Sequence, residues 1–169
     1  MQGDLFPFPK DELVIGHYIN SFTSNDSIVL DFFSGSATTA HAVMQQNAED
    51  GGNRKFVMVQ LPALPAEDSE AYKAGYDNIC EIGEERIRRA GEKIKEEHPE
   101  VADTLDTGFR VFRLDDSNFN PGVKASPSEY NQQQLDLFAD NIKSDRNDLD
   151  LLFGSILAWG LQLDLPMET

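Results

Sequence analysis

One cysteine, Cys80, stands in the 169 residues, which excludes a disulfide within the chain and fits a reducing compartment. Its apolar helical neighbours make it a small buried hydrophobe rather than a nucleophile. No apolar run approaches the roughly 20 residues that a membrane span needs. Met1-Gln2-Gly3-Asp4 carries neither the basic nor the apolar region of a secretory signal. The expectation is a cytoplasmic protein with no membrane partner. Basic residues are scarce: 14 Lys and Arg face 30 Asp and Glu, for a formal net charge of −16. A domain that grips nucleic-acid phosphates by itself carries a basic stripe. Either the acids only keep the chain soluble, or any phosphate-gripping surface belongs to another part of a larger protein. There is no Gly-x-Gly-x-x-Gly for a dinucleotide and no Gly-Lys-Ser/Thr for a phosphate-loop nucleoside triphosphatase. No internal repeat is visible.

What the chain does have is a stretch over residues 27–43 around which the rest is arranged. Ile28-Val29-Leu30-Asp31 is a short apolar run ending in an acid, the pattern of a buried parallel strand. Small residues follow from Ser34 to Ala37, where a sharp turn fits, and Thr38 or Thr39 can cap a helix running to about Asn47. Such a junction leaves backbone N–H groups at the helix start. They face the carboxyl edge of the strand, where α/β sheets bind nucleotides and cofactors. Gly35 lets the main chain approach a ligand where a Cβ would collide. The N–H groups around Ser36, Ala37 and Thr38 can receive a carboxylate, Asp31 can accept from an ammonium, and Phe33 offers an apolar wall.

Upstream, Leu5-Phe6-Pro7-Phe8-Pro9-Lys10 is extended, because each proline restricts its predecessor. Residues 11–19 read as a helix with Leu13, Val14, His17 and Tyr18 at helical spacing. Downstream, Asp50-Gly51-Gly52-Asn53 is a turn signal and residues 54–61 a second strand. Strand, helix and strand over roughly 35 residues is the spacing of a right-handed βαβ unit. From about Ala71 the pattern turns helical. Ile79, Ile82, Ile87, Ala90 and Ile94 share a stripe, and Glu84/Arg88 and Glu85/Arg89 pair four apart. Arg86, Arg88 and Arg89 read as a solvated face, with phosphate contact as the rival reading. Residues 108–114 alternate like a third strand near a sheet edge. Residues 115–147 are a polar connection with a short helix around 135–138. Residues 149–161 form an apolar-faced helix that Gly160 can end.

Asp31-Phe32-Phe33-Ser34-Gly35-Ser36-Ala37-Thr38-Thr39 resembles the cofactor loop, Asp-x-Phe-x-Gly-Ser-Gly-Thr-Thr, of the amino-methylating DNA methyltransferases. Phe6-Pro7-Phe8-Pro9-Lys10, the turn over residues 50–56, Val59-Gln60-Leu61-Pro62 and residues 108–119 resemble the modification subunit of type III restriction–modification systems. The resemblance covers nearly the whole chain. It implies S-adenosylmethionine (SAM) as cofactor, adenine N6 in DNA as target, and a restriction subunit or a second modification subunit as partner. It also implies that Lys10 or Pro9 approaches the cofactor carboxylate, the rival being a plain exposed lysine. Where the family places an acid for the ribose hydroxyls, this chain has Gln60, with Ala63 soon after. A glutamine offers one acceptor oxygen without the charge that strengthens such bonds; an ordinary strand-end glutamine is the rival. Ala37 replaces the second glycine of the loop, which is strained wherever φ is positive. A catalytic tetrapeptide such as Asp-Pro-Pro-Tyr, whose ring stacks on a flipped base, is absent; Asn120-Pro121-Gly122 lacks the second proline and the ring. In the matching subfamily that motif and the target-recognition region precede the cofactor loop, so both are expected upstream of Met1.

The predicted fold class is α/β: part of a Rossmann-like SAM-dependent methyltransferase sheet flanked by helices, with a helical C-terminal tail. Residues 1–116 are expected to be the SAM-binding half, 117–147 a connecting segment, and 148–169 an amphipathic helix and tail. Expected cofactor contacts are Lys10, Asp31, Phe33, Gly35, Ser36, Ala37, Thr38 and Gln60, with no catalytic residue and no metal site. The expected function is SAM binding without transfer, within a DNA adenine-N6 methyltransferase whose other parts meet the DNA. The rivals are a non-catalytic interaction module derived from such a subunit, and a Rossmann-like enzyme of another type.

Overall fold

The computed structural model describes residues 10–120 and 141–167. These divide into two compact units, one up to Gly108 and one from Phe109. The expected extended segment at 5–9 and the short helix at 135–138 lie outside the described residues. Among the described residues no helix is long and apolar enough to cross a membrane.

The first unit runs α1 (Glu12–Phe22), β1 (Ile28–Asp31), α2 (Thr38–Asp50), β2 (Lys55–Met58), α3 (Glu70–Lys73) and α4 (Ile79–Glu97). β1 and β2 pair in parallel, Ile28 opposite Lys55 and Asp31 opposite Met58, with α2 between them in sequence. The architecture is thus mixed α/β around a two-stranded parallel sheet.

α2 is the most enclosed element although its sequence is polar. Thr38, Thr39, Ala40, Ala42, Val43, Met44, Gln46, Asn47 and Ala48 are all buried, because the helix packs against α1, α4 and β2. Its small residues let those neighbours close in, and burying Val43 and Met44 contributes roughly 1.5–3 kcal/mol each. From α1 the chain offers Ile19 and Ile15 to this core, with Ala42, Val43, Val29 and Phe56. Leu13, Val14 and Tyr18 of the expected stripe are exposed instead, since α1 leans on α2 with the Ile15/Ile19 side only. α4 follows its expected stripe: Ile82, Ile87, Ala90 and Ile94 are buried. The helix expected from Ala71 is broken at Gly75 (φ 85°), and Asn78 starts α4 by accepting from the Cys80 and Glu81 N–H groups.

Two expectations about the sheet are corrected. β1 is not buried on both faces: Val29 and Phe56 turn toward the helices, while Ile28, Leu30 (58% exposed) and Val57 face outward. Among the described residues, helices cover only one side. Residues 108–114 form no strand. Arg110 instead donates to the carbonyls of Leu163 and Leu165, and Phe112 stands edge-on to Phe153 at 5.0 Å. The alternating side chains there serve packing within the second unit rather than a ladder.

The amino end of β2 is locked by Arg54, 5% exposed. Its guanidinium donates to Asp50 Oδ1 and Oδ2 at 3.0 and 2.9 Å, Thr23 Oγ1 at 2.9 Å and Asn25 Oδ1 at 3.2 Å. The Asn47 side chain meets the Arg54 backbone N–H and carbonyl. One buried guanidinium thereby joins the end of α1, the turn before β1, the end of α2 and the start of β2. The second unit holds α5 (Asp148–Ala158), capped by Asn147 in a reciprocal box with Asp150. The same unit contains an antiparallel bridge between Phe119 and Ile142 and ion pairs from Arg146 to Asp115 and Asp116.

Candidate functional site

The carboxyl end of β1, opposite the Arg54 hub, leads into the loop of residues 32–37. The loop follows the sheet before turning. Val59 N–H donates to Asp31 O at 2.8 Å and Ser34 N–H returns a bond to Val59 O at 3.2 Å, so the pairing of β1 with β2 continues past both strands. Gly35 N–H then donates to the Gln60 side-chain Oε1 at 2.8 Å, and Ala37 N–H closes a turn on Ser34 O at 2.8 Å. Gly35 (φ 54°) and Ala37 (φ 59°) both lie in the left-handed region. Gly35 adopts it without penalty, whereas a Cβ there costs about 1–2 kcal/mol.

Ala37 is also the N-cap of α2, and no side chain caps the helix. Neither Thr38 nor Thr39 performs the expected capping. Thr39 Oγ1 reaches back to Asp31 Oδ2 at 2.6 Å, while Asp31 Oδ1 accepts from Phe33 N–H at 3.1 Å. The loop is therefore tied at both ends to one carboxylate, which keeps lone pairs for a further donor. Phe32 and Phe33 stand exposed, their rings 5.5 Å apart, Phe33 at 71%.

The predicted contacts of the loop, with their neighbours Ser34, Thr39 and Ala40, separate into two layers. Asp31, Ser34, Gly35 and Gln60 are half-buried and Phe33 is exposed, forming an accessible lip. Ser36, Ala37, Thr38, Thr39 and Ala40 are buried. α4 accounts for part of this cover. A Cβ on Gly83 would stand 3.4 Å from both Ala37 Cβ and Gly35 O, an ordinary contact distance, so the helix rests directly against the turn at this point. Arg86, three residues on, donates to Ser36 Oγ at 3.1 Å and pairs with Glu12 of α1 at 3.3 Å. Lys10 is exposed, one residue before the α1 cap Asp11. No bond joins it to the loop among the described residues.

Arg86 corrects the reading of its helix face as solvated. Arg88 and Arg89 do pair with Glu84 and Glu85 on the surface. Arg86 has no acid three or four residues away in either direction, and that gap was a legible sign that its charge is answered elsewhere. Partial burial holds its guanidinium below its ordinary pKa against the opposing pull of Glu12, and the ion pair welds α1, the loop and α4. Among the described residues no group of three His, Cys, Asp or Glu side chains gathers where a metal could sit. The lip suits a ligand with an ammonium for the Asp31 carboxylate and a flat or apolar part for the phenylalanines. The start of α2 is less open than the sequence implied, because residues 36–40 lie under their neighbours.

Comparison with known proteins places the chain in a family. A family model described as DNA methylase matches residues 2–94, more than half of the chain. The chain is 38% identical over 135 residues to the type III restriction–modification enzyme StyLTI Mod subunit of Salmonella typhimurium, covering 80% of this chain and 19% of that protein. It is 37% identical over 112 residues to the EcoPI Mod subunit of Escherichia phage P1, covering 66% and 17%. The type II methyltransferase M.KpnI of Klebsiella pneumoniae is 37% identical over 83 residues, 49% of this chain and 20% of that enzyme. The chain spans about a fifth of the length of these curated relatives. With the loop, its flanking βαβ unit and most of α4 inside the matched span, the chain belongs to the DNA methylase family.

Proposed function

We propose that this chain is the cofactor-binding portion of a type III modification methyltransferase, that it binds SAM at the lip of the 31–37 loop, and that by itself it transfers no methyl group. The single observation that carries the reading is the Asp31 carboxylate, held by Thr39 and the Phe33 N–H at the carboxyl end of a parallel strand beside exposed aromatic rings. The identity to Mod subunits supports it. Asp31 would accept from the cofactor ammonium, Phe33 would cover an apolar part, and the Gly35 backbone would allow close approach. Ser36, Ala37 and Thr38 would set the turn from beneath, and Lys10 would answer the cofactor carboxylate. A partly Rossmann-like sheet, completed by strands from other parts of the enzyme, would carry the loop. Bound SAM supplies a methyl group on a positively charged sulfur, ready for transfer to an amine. The adenine-N6 target, the DNA and the restriction subunit belong to the same proposal.

Calorimetry tests it: SAM binds and NAD does not, and Asp31→Ala weakens SAM at least tenfold. Equal heats from both ligands, or from the variant and the parent, defeat the reading. A methylation assay with purified chain and an adenine-containing duplex is expected to show no transfer. A second reading, an interaction module, is favoured by α5, in which no residue is buried. Leu149, Leu152 and Leu157 are exposed, as is Trp159 just beyond (81%). Sedimentation showing a strict monomer at high concentration counts against it.

A further inference from the structure

We infer that Gln60 is a positioning residue: it fixes the cofactor loop by accepting from Gly35 and does not read the ribose. The inference rests on the SAM reading above but departs from what the resemblance implies for this position. Both halves of the carboxamide are engaged. Oε1 accepts from Gly35 N–H at 2.8 Å, and Nε2 donates to Leu61 O at 3.2 Å. The Gln60 main chain is held in turn, its carbonyl 3.5 Å from the Cys80 thiol of α4. A ribose presents two neighbouring hydroxyl donors, which suits a carboxylate with two acceptor oxygens. An amide has one oxygen with two lone pairs, and here the loop N–H already takes one of them, leaving a single acceptor position for a pair of hydroxyls.

The loop needs such a brace more than most. Glycine has the widest conformational freedom of any residue, and Gly35 sits in the left-handed region one residue before Ser36 and two before the strained Ala37. Nothing in its own side chain can select that state. The Ser34 N–H bond to Val59 O aligns the loop with β2, and the Gln60 bond then settles the next peptide. Without it, a half-buried N–H would lose its partner, and the backbone that approaches the ligand would sample other conformations. Gln60 thereby acts on cofactor affinity through Gly35, across 25 residues of sequence.

Amide hydrogen exchange on the whole chain, combined with calorimetry, tests this. The ligands are S-adenosylhomocysteine and its 2′,3′-dideoxy analogue. Gln60→Ala is expected to speed exchange at Gly35 by about tenfold, the loss of one hydrogen bond, and to leave the Lys55 amide unchanged. It weakens both ligands by the same factor, again about tenfold. Gln60→Glu, which keeps an acceptor, restores Gly35 protection and the affinity for the dideoxy ligand. Should Gln60→Ala fail to fold, Gln60→Glu alone decides: Gly35 exposed to exchange in that variant overturns the brace. An affinity loss confined to the hydroxylated ligand overturns it too, in favour of ribose contact, as does unchanged Gly35 exchange in Gln60→Ala. If the parent chain binds neither ligand, the SAM reading fails, while Gly35 exchange still decides the brace.

Discussion

Ala37 shows how a single side chain can be tolerated against its own geometry. At φ 59° its Cβ costs about 1–2 kcal/mol. Glycine would remove that strain, but it would give back about 0.4–1 kcal/mol of chain entropy and about 0.8 kcal/mol of methyl burial. These nearly cancel, so Ala37→Gly should lie within about 1 kcal/mol of the parent in urea unfolding. Ala37→Val should lose more than about 2 kcal/mol, since a branched side chain is worse in that region and would press on the place where Gly83 packs. At the other end of the sheet, the Arg54 guanidinium holds the Asp50 carboxyl below its ordinary 3.8. A carboxylate depressed on folding contributes stability that is full above the unfolded value and disappears as pH falls through the folded one. Asp50→Asn should therefore cost about 2 kcal/mol near neutral pH, leaving a buried guanidinium uncompensated. The gap between variant and parent should close when both are unfolded below pH 3.8. A constant gap down to acid pH would remove the ion pair from the account.

Elements meet through small residues, and this limits what sequence patterns can reveal. The α4 stripe was legible because isoleucines at helical spacing have few alternative uses, and the βαβ unit because its turns carry glycine at fixed places. The outward face of β1 was not, since an apolar run reads as buried whether or not anything covers it. Residues 108–114 misled for a related reason: alternation describes a strand only if an edge exists to receive it. At the site, the loop was legible from its residue types. The Gly35–Gln60 bond was not, because it depends on how far the loop follows β2 before it turns. Gly91 makes the packing of α4 testable. A Cβ there would stand 2.9 Å from Thr107 Cβ, a clash worth about 1–3 kcal/mol, set against a gain of about 1 kcal/mol in helix propensity. The clash should win, so Gly91→Ala destabilises the parent by about 1 kcal/mol. In a Thr107→Gly background the same change should stabilise by about 1 kcal/mol, and thermal unfolding of the four proteins closes the cycle.

For the whole chain, charge decides what the molecule can do alone. A net charge of −16 opposes a polyanion at any distance within a Debye length, about 8 Å at physiological salt. Binding to DNA gains most of its non-specific strength from cations that displace counterions. The described arginines are largely committed elsewhere: Arg54 to Asp50, Arg86 to Glu12, Arg88 and Arg89 to glutamates of their own helix, and Arg146 to Asp115 and Asp116. Fluorescence anisotropy with a short duplex in 150 mM salt should therefore give no saturable binding tighter than about 100 μM. Adding SAM should not change this, since the site proposed for it at Asp31 and the 31–37 loop supplies no phosphate contact. Duplex binding in the micromolar range that weakens steeply with salt would mean that a basic surface survives the overall acidity. The proposed division of labour, with cofactor held here and DNA met by other parts of the enzyme, would then be wrong even if the proposed SAM site stood.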